Sequence, residues 1–98
     1  MALTGKQRRH LRALAHHINP VVLTGAAGVS EAVVEKTKTE LEHHELIKVK
    51  VAEGPATTKE AGADLAKRAD AELVQVIGRM VVLYKPNPEE PGIQLPSV

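Results

Sequence analysis

Cysteine is absent from these 98 residues, as are tryptophan and phenylalanine, and Tyr84 is the sole aromatic side chain. Without cysteine there is neither a disulfide framework nor thiolate chemistry, and a reducing cytoplasm fits the chain. Without further aromatics there is no platform on which successive unpaired bases could stack. No apolar run approaches the ~20 residues needed to cross a bilayer. The basic opening from Lys6 to Arg12 is not followed by the long apolar core of a secretory signal. Acid is missing only locally: before Glu31 the chain carries Lys6, Arg8, Arg9 and Arg12 and no Asp or Glu. The other nine Lys and Arg face twelve acids, so a net charge of +1 conceals one basic region on a balanced body. Such a region often meets polyanions, although a solvated helix face reads the same way.

What is there suits one small domain: 98 residues, 43% hydrophobic, with a core that must be aliphatic and alanine-rich. The organising stretch is Pro20 to Ser30, where a short β-branched run ends at Gly25-Ala26-Ala27-Gly28 and Ser30 offers an N-cap for a new helix. Strand, Gly-x-x-Gly, helix is a candidate phosphate cradle, and equally a plain strand-to-helix turn.

Taken in order, Thr4 with Gln7 forms a capping box for a first helix reaching about Ile18. Leu3, Leu11, Leu14, Ala15 and Ile18 fall on its inner side, and Arg8, Arg9, Arg12 and His16 lie opposite with Lys6 at the border. Asn19-Pro20 stops it. Val21 to Thr24 reads as a strand. Glu31 to about His44 reads as a helix burying Val33, Val34, Thr37, Leu41 and His44. Leu46 to Ala52 alternates, Ile47, Val49 and Val51 against Lys48 and Lys50, which implies one buried and one wet face. Gly54-Pro55 breaks the chain. Thr57 with Glu60 predicts a second capping box and a helix to about Ala69 that buries the small residues Ala61, Gly62 and Ala69 together with Leu65. Glu72 to Ile77 and Met80 to Lys85 form a hairpin with Gly78-Arg79 at its tip. Four prolines then mark a tail on which Ile93 and Leu95 can dock. The expectation is an α/β fold, a single αβαβαββ domain. Right-handed crossovers give parallel strands, the hairpin adds an antiparallel pair, and helices pack on a four-stranded mixed sheet.

Catalytic and metal signals are weak. His10 and His17 stand seven positions apart, about 10.5 Å along a helix, and the neighbours His16–His17 and His43–His44 diverge by about 100°. His44-Glu45 begins like HExxH, but Lys48 holds the second ligand position. Neither a Gly-x-Gly-x-x-Gly nor a P-loop ending is present, and no serine, histidine and acid suggest a nucleophile with its base. The expectation is a non-enzyme with no metal, no cofactor and no small-molecule substrate. What remains is the basic stripe, the glycine corner, Arg79 on a hairpin tip and Lys85 at a strand end. Singly, Arg79 also reads as a polar turn residue and Lys85 as an ordinary strand-end charge. Together they fit phosphates of structured RNA, held by backbone and shape.

The segments Leu41-Glu42-His43-His44-Glu45-Leu46-Ile47-Lys48-Val49-Lys50 and Val76-Ile77-Gly78-Arg79-Met80-Val81-Val82-Leu83-Tyr84-Lys85-Pro86 resemble those of stand-alone bacterial YhbY-like proteins. These belong to the CRM family, named for chloroplast RNA splicing and ribosome maturation, and the likeness runs from about Leu3 to Pro86. The resemblance implies a CRM-like RNA-binding domain over residues 1–86, with a proline-rich tail over 87–98. It implies a fold similar to the C-terminal domain of translation initiation factor three, and association with ribosomal RNA in precursors of the large ribosomal subunit; the chain is expected to be a cytoplasmic monomer. Carried over by position, the RNA contacts are Gly25, Ala26, Ala27 and Gly28, supported by Lys6, Arg8, Arg9, Arg12, Arg79 and Lys85. Where many members carry a polar or basic residue between the glycines, this chain has two alanines, so its loop relies on backbone amides and on charge from the first helix, with Glu31 opposing. The rival reading is a protein-interaction module that docks on a ribosomal protein through an open sheet face.

Overall fold

The computed structural model describes residues 2–25, 28–52 and 56–97. Seven elements follow in the expected order: α1 (Gly5–Ala15), β1 (Pro20–Leu23), α2 (Glu31–His43), β2 (Leu46–Lys50), α3 (Thr58–Arg68), β3 (Glu72–Ile77) and β4 (Met80–Tyr84). The Gly54-Pro55 break and the two loop alanines lie outside the described residues.

The strands assemble in the order β1-β2-β4-β3. β1 and β2 pair in parallel as expected, but β2 and β3 do not touch, because β4 inserts between them and pairs antiparallel with both. The α3 crossover therefore skips one strand position, and the returning hairpin strand fills the gap.

Both faces of the sheet are covered in part, which corrects the expectation of one wet face. On one face α2 and α3 pack Val34, Leu41, Leu65 and Ala69 against Val22, Ile47, Val49, Val81 and Leu83. Small residues let α3 come close: a Cβ on Gly62 would stand 3.0 Å from both methyls of Val81. On the other face α1 packs Leu11 and Ala15 over Leu46, Val74, Val82 and Tyr84, and Leu3, Ile18, Ile93 and Leu95 close its margin. The tail thus docks as expected. It is held by Glu45, only 9% exposed, whose carboxylate accepts from the backbone N–H groups of Asn87 (2.7 Å), Gly92 (2.6 Å) and Ile93 (3.0 Å).

Several boundaries move. α1 carries the expected Thr4–Gln7 capping box but stops at Ala15, three residues short of Ile18. There His17 and Ile18 tighten to bonds three residues back, onto Leu14 and Ala15, as the chain swings into β1. Leu14, still within α1, is 40% exposed because Leu11 and Ala15 take the stripe that faces the sheet. β1 begins one residue early at Pro20, and Thr24 lies beyond it. α2 ends at His43. His44 is its exposed C-cap, 3.8 Å from Glu40, because a cap leaves the helical path that would have turned it inward. β2 and β4 end at Lys50 and Tyr84. Thr57 caps α3, but the Glu60 carboxylate takes the Thr57 hydroxyl rather than its N–H.

Candidate nucleic-acid interface

The glycine corner sits at the C-terminal end of β1. Thr24, 5% exposed, fixes it to β2: its N–H donates to the Lys50 carbonyl (3.0 Å) and its Oγ1 accepts from the Ala52 N–H (3.0 Å). The Gly28 N–H donates to the Gly25 carbonyl (2.9 Å), closing a turn, and Gly28 takes φ +83°, which a side chain would resist. Beyond it the Ser30 N–H donates to the Gly28 carbonyl and Ser30 Oγ accepts from the Val33 N–H. The amides of Gly28, Ser30 and Val33 are therefore already spent inside the corner, which trims the expected amide cradle. Arg68 on α3 braces the same place by donating to the Val29 carbonyl (2.9 Å), with Asp64 3.5 Å away.

Arg79 reaches this end by another route. The Gly78-Arg79 tip joins β3 to β4, Gly78 takes φ +56°, and the Arg79 carbonyl accepts from the Val51 N–H (2.8 Å). Only β2 separates β1 from β4, so at ~4.8 Å per strand the exposed Arg79 stands about 10 Å from the corner.

On the α1 side of the sheet, helix and tail cover the half nearer the N-termini of β2 and β3 and leave the half beside the corner open. Cross-strand register puts Leu23, Lys50, Met80 and Ile77 in one row over all four strands, with Lys48, Val82 and Gln75 in the row behind. Leu23 and Ile77 are 65% and 57% exposed, an apolar row with a lysine in it. Arg12 and His16 border the open strip across a hollow shared with Lys48, Gln75 and Ile77. Arg12 and the corner therefore flank one surface.

Other expected residues behave differently. Arg8 is half-buried and donates from Nη1 to the Leu73 carbonyl, so it fastens α1 to β3. Lys6 and Arg9 are exposed on α1. Lys85 is at the opposite end of β4, about 20 Å from Arg79 at ~3.4 Å per residue, with its Nζ 3.9 Å from Asp70. It does not join the others. Lys50 and Lys48 do, and the signal for them was the alternation of β2. Thr24, Gln75 and Arg68 gave no signal, because their roles arise from pairings across 28, 7 and 39 positions of chain. Among the described residues no three His, Asp or Glu side chains converge as metal ligands, and no helix is long and apolar enough to cross a membrane.

Comparison with known proteins gives a consistent result. The family model described as the CRS1/YhbY (CRM) domain matches residues 3–85. A Haemophilus influenzae protein named "RNA-binding protein" is 46% identical over 95 residues, covering 96% of this chain and 95% of that one. "Probable RNA-binding protein YqeI" of Bacillus subtilis is 42% identical, covering 96% and 99%. The solution structure of SAV1595 from Staphylococcus aureus superposes with a TM-score of 0.83 at 42% identity, covering 97% of this chain and all of that one. With the domain match running almost end to end and the same sheet recurring in a solved relative, this chain belongs to the CRS1/YhbY, or CRM, domain family.

Proposed function

We propose that this protein binds RNA, holding the backbone of structured ribosomal RNA, and that it assists assembly of the large ribosomal subunit. The observation that carries this reading is the meeting of the glycine corner, Arg79, Lys50 and Arg12 on one end and one face of the sheet. Phosphates along a strand run there past cations borne on α1, β2 and the β3–β4 tip, while the corner lets the backbone approach closely. Arg9 and Lys6 extend the positive field along α1. Lys85 is left out of the grip. The names of the relatives, "RNA-binding protein" and "Probable RNA-binding protein YqeI", support the RNA-binding part of this reading.

The test is a titration of ribosomal RNA fragments at several salt concentrations. Neutralising four to six phosphates gives a log–log slope of about −3 to −5. A flat response removes the proposal. The rival reading, docking on a ribosomal protein, has only the open strip to use, since α1 and the tail occupy the rest of that face. It requires co-sedimentation with precursor subunits that survives high salt and disappears when protein partners are stripped.

A further inference from the structure

α1 lies over only part of its face, and the space between its edge and the exposed rows is a hollow of about 260 Å³. Ile77 is on its floor, Gln75 and Lys48 rise from the second row, and Arg12 and His16 close the helix side. A backbone-gripping surface has no need of this shape, because phosphates sit on ridges and ends rather than in a recess with an aliphatic floor.

We propose that the hollow receives one unpaired purine, guanine before adenine, turned out of the RNA that the cationic strip holds. The inference rests on the RNA-binding reading above and adds what is recognised there. The hollow is smaller than the ~300–1,000 Å³ typical of small-ligand pockets, so it has room for one base and not for a helical segment. Ile77 gives the flat face of a ring an apolar bed. Around the edge the charged donors of Arg12 and Lys48 outnumber acceptors, and the Gln75 amide can serve as either. Two acceptors side by side, O6 and N7 of guanine, fit that set best, while N7 with N6–H of adenine fits the glutamine alone. Tyr84 is buried in the core and the imidazole of His16, on the helix side, is the one ring at the hollow, so edge contacts rather than a stack between rings carry the choice. Lys50 and the glycine corner continue the strip to where the adjoining phosphates would lie.

The experiment compares two hairpin RNAs with the same stem, one fully paired and one carrying a single bulged guanine. The bulged RNA binds about tenfold more tightly than the paired one. Gln75→Leu, which takes one of the three edge partners away, narrows that advantage while leaving affinity for the paired hairpin and its salt slope unchanged, with circular dichroism confirming the fold. In the saturated wild-type complex, N7 of the bulged guanine is protected from methylation. Equal affinity for both hairpins with the slope intact, or an N7 that stays reactive, overturns the base site and leaves backbone binding standing. A flat salt response with both hairpins overturns the two together.

Discussion

Gly28 shows what one residue contributes to the corner. A Cβ there would meet nothing within 4 Å, so Gly28→Ala tests conformation alone. At φ +83° the alanine costs about 1–2 kcal/mol, read as a lower urea midpoint at unchanged m-value. Tyr84 offers a cleaner probe, being the chain's only tyrosine. Burial, and then the neighbouring Glu45 charge, push its phenol above the usual value of 10.0. A folded-state pKa above the unfolded one means this contribution to stability is complete below pH 10 and lost as pH rises through the higher folded value. Phenolate absorbance followed against pH should titrate late in the folded protein and at the ordinary value in urea. Coincident curves would contradict the burial. Residue chemistry of this kind is only half legible in a sequence: glycine at 28 announced a turn, but nothing adjacent to Tyr84 announced that it would be buried.

At the scale of elements, the sequence told most about helices and least about what covers them. The Thr4–Gln7 box, the Ser30 cap, the Gly78-Arg79 tip and the small residues of α3 were all readable, because each is a local pattern with a local cause. The covered second face was not readable. Lys48 and Lys50 gave β2 a polar side, yet Leu46 on that same side is buried, because α1 and the tail close over only one end of the strand. α3 carries a packing prediction. Gly62→Ala forces a methyl to 3.0 Å from Val81, and overpacking costs about 1–3 kcal/mol against roughly 1 kcal/mol gained in helix propensity. The variant is therefore expected to be less stable in urea, and Val81→Ala in the same chain should return part of the loss. The tail carries another. Glu45→Gln replaces an acceptor-only carboxylate with an amide that turns N–H groups toward N–H donors, at about 1.5–3 kcal/mol. Residues 87–96 should then be cut by protease well before the sheet, and an unchanged digestion pattern would deny Glu45 its clamping role.

For the molecule as a whole, charge is divided between two ends. Lys50 and Arg79 lie beside the glycine corner and Arg12 across the open strip from it, while Lys85 at the other end lies with Lys38 among Asp70, Glu42 and Glu89. Arg79→Gln and Lys50→Gln should each flatten the RNA salt slope by about one unit, whereas Lys85→Gln should leave it as it is. Equal effects from all three would mean the positive field acts diffusely and has no address. The acid-free opening of the chain pointed to a basic region, but only folding decided which of its four cations face the open strip, since Arg8 is turned into the sheet and Arg12 borders the strip. The strand order has a consequence for how the protein is made. β2 and β3 meet only through β4, the last strand in sequence. A chain still being synthesised can assemble β1 with β2, yet it has no continuous sheet until Tyr84 has left the ribosome, and the surface that would hold RNA cannot exist before then.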